Sequence, residues 1–137
     1  MVFAKKYQQT QALHEVYPMK IVINKCFGGF SISDKAIELY FEKKGEKVWT
    51  VVNGYSTSHY TADPADYPTG LPDNHYWSCY DIDRTDPVLV DVVETLGVEA
   101  DGNHASLTVV EIPDGISYEI DEYDGVEHIA ETHRTWH

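Results

Sequence analysis

The sequence predicts an α+β domain: a mostly antiparallel sheet of five or six strands, two helices on one face and a C-terminal β-hairpin. Three observations carry that expectation. Short runs dense in β-branched and aromatic residues recur along the chain. Two segments, ending near Gly45 and at Gly97, repeat apolar residues at helical spacing behind a capping side chain. Asp124-Gly125 separates two strand-like runs in the manner of a tight hairpin. With 137 residues, 42% of them hydrophobic and 12% aromatic, the chain has apolar surface for one core and little room for a second.

Taken in order, residues 1–18 form a polar N-terminal arm in which Phe3, Tyr7, His14 and Tyr17 fall on one side of a weakly amphipathic helix that Pro18 stops. Residues 20–27 (KIVINKCF) read as a central strand, and Gly28-Gly29 turns the chain. Ser31, Ser33 and Asp34 offer caps for a helix carrying Ala36, Ile37, Leu39, Tyr40 and Phe41. A second strand (KVWTVVNGY) closes at Asn53-Gly54. Residues 56–74 show no hydrophobic period and contain three prolines, so they read as a long aromatic loop inside a single domain spanning 19–137. Residues 75–82 (HYWSCYDI) alternate as a third strand. Asp86 as N-cap, Pro87 at the first helical position and Val88, Leu89, Val92, Val93 and Leu96 define the second helix. The runs ASLTVVEI, 116–123 and 126–131 supply the remaining strands.

Charge is unevenly placed. The chain carries a net −13; residues 1–47 hold all eight lysines against five acids, net +3, and residues 48–137 hold two arginines against eighteen acids, net −16. Such a surface repels a phosphate backbone, which argues against ordinary nucleic-acid binding and favours a basic protein partner. The simplest reading of the charge is solubility. No stretch is apolar enough to cross a bilayer, so a soluble, cytoplasmic protein without membrane attachment is expected. Cys26 and Cys79 lack disulfide or CxxC spacing and read as buried thiols of a reducing compartment.

Two segments, MKIVINKCFGGFSISD (19–34) and residues 81–136 with their EIPDGISYEIDEYDGVEHIAETHRTW ending, resemble a family of small uncharacterised proteins encoded in bacteriophage genomes and bacterial prophages. The resemblance spans roughly half the chain. It implies a viral origin and a host-cell cytoplasmic location, and it implies no catalytic activity. Members begin near the position of Met19, so residues 1–18 look like an extension, and the loop 56–74 departs from the shared pattern.

Two candidate sites follow from the residues. The Gly28-Gly29 turn lies between a strand and a helix N-terminus in the basic part of the chain. Lys25, Gly28, Gly29, Ser31 and Ser33, joined by Arg84, Arg134 and Trp136, form a candidate site for a small anionic ligand such as a nucleotide. The Gly-Lys-Ser/Thr ending of a P-loop is missing. The competing reading is structural: the glycines admit positive φ, Phe27 and Phe30 pack inward, Ser33 caps the helix, and each arginine sits in a bidentate carboxylate pair. The second site is a tyrosine-rich, acidic surface built from Tyr55, Tyr60, Tyr67 and Tyr76, suited to contacting a protein. His128, Glu131 and His133 make at most a two-ligand pair, so no metal and no cofactor is expected.

No catalytic motif emerges, and an enzyme is not the favoured reading. The expected function is that of a non-enzymatic phage accessory protein that binds a host or viral protein, with counter-defence as the role a viral origin suggests. The alternatives are binding, sequestration or turnover of an anionic ligand, which requires a concave pocket near the start of the first helix, and a self-associating virion or assembly component.

Overall fold

The computed structural model describes residues 19–132. The helix expected in the arm 1–18, together with His133, Arg134 and Trp136, lies outside the described residues.

The α+β class holds. The described chain contains strands β1 (Met19–Asn24), β2 (Trp49–Asn53), β3 (Ser56–Tyr60), β4 (Tyr76–Trp77), β5 (Leu107–Ile112), β6 (Tyr118–Tyr123) and β7 (Val126–Glu131). Its helices are α1 (Asp34–Lys44) and α2 (Pro87–Leu96). Every strand pairing is antiparallel, and β6–β7 form the C-terminal hairpin. Instead of one sheet of five or six strands there are three small ones, ordered β1-β5, β2-β3-β4 and β6-β7.

The edge of β1 explains the division. One edge pairs with β5, Met19 opposite Ile112 through Asn24 opposite Leu107. On the other edge, Val22 N–H donates to the Arg84 carbonyl, Arg84 Nη1 donates to the Val22 carbonyl, and Asn24 N–H donates to a Glu127 carboxylate oxygen. Backbone groups that would recruit a third strand are thus satisfied by one arginine and one glutamate. Ile21, Val22, Ile23 and Asn24 are all buried, so both faces of β1 are covered and the sequence there shows a continuous apolar run without alternation.

The helices begin and end as their sequences dictate. Ser33 Oγ accepts from Ala36 N–H at the start of α1, and Gly45, in the left-handed region, closes it while Glu46 N–H reaches the Phe41 carbonyl. Ala36, Ile37, Tyr40 and Phe41 form its buried stripe. Asp86 caps α2 by accepting from Val88 N–H, and Pro87 stands at the first turn. Leu89, Val90, Val92 and Val93 join the α1 stripe, Val22, Phe30, Ile32 and Ala100 in one core, with Trp77 and Cys79 packed against it.

Two expectations about the middle of the chain are corrected. The loop 56–74 begins with β3, whose sequence STSHY gives no apolar alternation; Gly54-Tyr55, not Asn53-Gly54, is the two-residue turn, with glycine alone in the left-handed region. What remains of the loop holds two short 3₁₀ turns, Pro64–Asp66 and Asp73–His75. The strand expected over 75–82 shrinks to β4, because Ser78 Oγ accepts from Tyr80 N–H and turns residues Cys79–Asp81 into a 3₁₀ turn.

Candidate functional site

Backbone crowding governs the glycine turn. A Cβ at Gly28 would lie 2.1 Å from His104 Cβ and 2.2 Å from its carbonyl oxygen, so this glycine is required for contact between two backbones. Gly29 turns with φ +87°. Ser33 Oγ is committed to the α1 cap and donates to the Glu99 carbonyl at 2.6 Å. Ser31 Oγ makes a long 3.5 Å contact with the Asn103 carbonyl. Lys25 is exposed. Phe30 is buried as expected, whereas Phe27 is 75% exposed, and its backbone carbonyl lies close against Gly125.

Arg84 takes the structural role. Its guanidinium grips Glu127 in a two-pronged pair of 2.7 and 2.8 Å and lies 3.5 Å over the Phe30 ring. The neighbouring Asp81, Asp83 and Asp86 are not its partners: Asp83 and Asp86 serve local turns and caps, and the carboxylate arrives from β7. Burial pushes the Glu127 carboxyl up, but the Arg84 guanidinium and the Asn24 N–H outweigh it, leaving the group below its ordinary value. Asn24, absent from the sequence expectations, completes this cluster. Its side-chain amide donates to the Cys26 and Gly125 carbonyls, and its oxygen accepts from Cys26 N–H and Ser106 N–H. A buried asparagine thus uses every polar atom it has.

The tyrosines separate. Tyr60 and Tyr76 are neighbours across the β3–β4 pairing, with ring centroids 5.8 Å apart, and Tyr67 packs on His75 at 5.6 Å. Tyr55 stands fully exposed at the β2–β3 turn.

Among the described residues a cleft of about 480 Å³ opens at the start of α1. Gly28, Ser31 and Ser33 from the glycine turn form one wall, β3 and the 76–80 segment another, and residues 101–103 the third. Tyr76 and Tyr80 line it at 54% and 74% exposure. Asp34 and Asp101 line it too, and among the described residues no lysine or arginine does. Of the cations expected to serve an anion there, Arg84 is held by Glu127, Lys25 is not in the lining, and Arg134 lies outside the described residues.

Within the cleft lies His59, only 6% exposed. Its Nε2 comes within 3.2 Å of Asp34 Oδ1 but off the line a hydrogen bond needs, so it is a buried nitrogen beside a carboxylate and bonded to nothing. Both Asp34 oxygens accept instead from Thr57 Oγ, at 3.2 and 3.3 Å. Cys79 also lines the cleft, half-buried rather than fully so, and burial pushes its thiol up, the reverse of what an activated nucleophile needs. The sequence alone sets His59 aside, because residues 56–59 read as loop, where serines close to a histidine are common by chance; the alternation of β3 places it on one face with Thr57.

Among the described residues no group of three histidines, cysteines or acids is placed to hold a metal ion, and no helix is long and apolar enough to cross a membrane. The arrangement is that of a polar cleft with aromatic walls on an α+β scaffold, lined by no lysine or arginine among the described residues. Compared with protein families, curated proteins and solved structures, the chain matches none.

Proposed function

We propose that this chain is a non-enzymatic, phage-encoded accessory protein that binds a host or viral protein of basic character through an acidic, tyrosine-rich surface. One observation carries the reading: the cleft at the start of α1 is lined by the exposed Tyr76 and Tyr80 and by two carboxylates, and among the described residues by no lysine or arginine. Tyrosine gives large contact area with a polar tip, and an acidic rim steers a basic partner toward it. Tyr60 buttresses Tyr76, so the aromatic wall is rigid before any partner arrives. A viral origin rests on the resemblance of the two segments and suggests interference with a host component.

The anionic-ligand alternative draws support from the position of the cleft, which lies where that reading requires a pocket. Among the described residues it lacks the cations, since Lys25 is not in the lining and Arg84 is held by Glu127. The deciding experiment is native mass spectrometry of the protein purified from phage-infected bacteria, paired with affinity capture by wild type, a Tyr76→Ala/Tyr80→Ala double variant and Lys25→Ala. The expected result is one protein partner, bound about tenfold or more weakly by the double variant and equally well by Lys25→Ala. A retained phosphate-bearing small molecule, or loss of binding with Lys25→Ala alone, overturns the reading in favour of the anionic ligand. Gly28→Val is unsuited to this test, since the clash with His104 disturbs the fold itself.

A further inference from the structure

The unpartnered His59 identifies what the cleft takes in. In the neutral imidazole one ring nitrogen is an acceptor, and a structure that buries it normally supplies a donor. Here Nε2 lies 3.2 Å from the Asp34 carboxylate without a hydrogen bond, and with the ring proton on Nδ1 both groups are acceptors. Two acceptors side by side, with only the Thr57 hydroxyl donating to one of them, are complementary to a single group that offers several N–H donors and positive charge. An anion fits neither. The dipole of α1 contributes partial positive charge at this end, but Ser33 already caps it and Asp34 in the first turn offsets it. Asp101 adds a second carboxylate to the lining.

We infer that the cleft is a receptor for an arginine side chain of the basic partner, its guanidinium bridging His59 Nε2 and the Asp34 carboxylate while its plane lies along the aromatic wall of Tyr76, Trp77 and Tyr80. This rests on the protein-binding reading above and names the group that is recognised. Arginine fits better than lysine because its donors are spread over a rigid plane that reaches two acceptors at once and stacks on rings. Asp34 is the movable element. Its side chain is 51% exposed, so a change of rotamer uncovers Nε2 for the incoming N–H. The volume of about 480 Å³ leaves room for neighbouring residues of the partner along the Ser78–Tyr80 wall.

The test uses the full chain and N-acetyl-arginine methylamide, followed through the ring-nitrogen NMR signals of the histidines and the backbone amide spectrum. N-acetyl-citrulline methylamide, the same shape without charge, is the first control, and inorganic phosphate is the second. The expected result is a saturable shift of His59 Nε2 with arginine, about tenfold weaker binding for citrulline, and a similar loss in Asp34→Asn. Lys25→Ala, outside the cleft lining, retains binding, and the amide spectrum of each variant reports whether the Asp34→Asn loss is a general disturbance of the cleft. Arginine leaving His59 unmoved, citrulline binding as well as arginine, or phosphate shifting His59 would each overturn the inference. An arginine-rich peptide that binds while perturbing only residues around Tyr55 and Tyr67 overturns it too, and leaves the protein-binding reading standing. If the captured partner is still lost in the tyrosine double variant but unaffected by Asp34→Asn, the arginine assignment alone falls and the cleft remains the partner's site.

Discussion

Asn24 and Glu127 are polar residues closed off from water at the outer edge of β1, each with its hydrogen bonds filled by distant parts of the chain. The Arg84–Glu127 pair is the costlier one to break, because a buried charge left alone keeps its desolvation penalty and loses its compensation. Glu127→Gln should therefore lower stability by about 3 kcal/mol, read from the urea midpoint, and an Arg84→Met/Glu127→Leu double variant should recover little of the loss, because the buried Val22 carbonyl and Asn24 N–H then lose their side-chain partners. The sign with pH follows from the lowered Glu127 carboxyl. Its contribution is present above the ordinary glutamate value and is lost as pH falls through the depressed folded value, so wild type should lose stability on acidification. Glu127→Gln should flatten that acid limb, and an unchanged limb would assign acid lability to other groups.

Among the elements, the two helices were the most legible because cap, apolar stripe and terminating glycine are all local signals, and the β6–β7 hairpin was legible from Asp124-Gly125, both residues at positive φ. Sheet partition was not legible, since it depends on Glu127 reaching β1 across about a hundred residues. The same holds for the site. The glycine turn lines the cleft as the sequence suggested, yet its chemistry is set by His59, which arrives on a strand with no apolar pattern. At this scale the hairpin is the weak joint. It meets the body through Glu127, the Gly125 carbonyl and the close approach of Gly125 to the Phe27 carbonyl, where a Cβ would stand 2.2 Å from the oxygen. Gly125→Ala should loosen this joint, raising amide exchange across Tyr118–Glu131 by about tenfold or more while α1 and α2 remain protected. Uniform acceleration throughout would mean that the hairpin and the core open as one unit.

For the whole molecule, the charge asymmetry sets how a partner approaches. With net −16 over residues 48–137, association with a basic protein should be electrostatically steered, its rate falling about tenfold or more from low salt to 0.5 M while dissociation changes little. Rates insensitive to salt would place the contact on a neutral part of the surface. The bonding of β1 also dictates a sequence of events during biosynthesis. Val22 waits for Arg84, and Asn24 waits for Ser106, Gly125 and Glu127, so the strand that emerges from the ribosome before any other described element is among the last to be completed. A nascent chain halted before the hairpin leaves Asn24 and the Arg84 guanidinium without the Gly125 and Glu127 partners that complete this edge, the kind of surface that chaperones recognise.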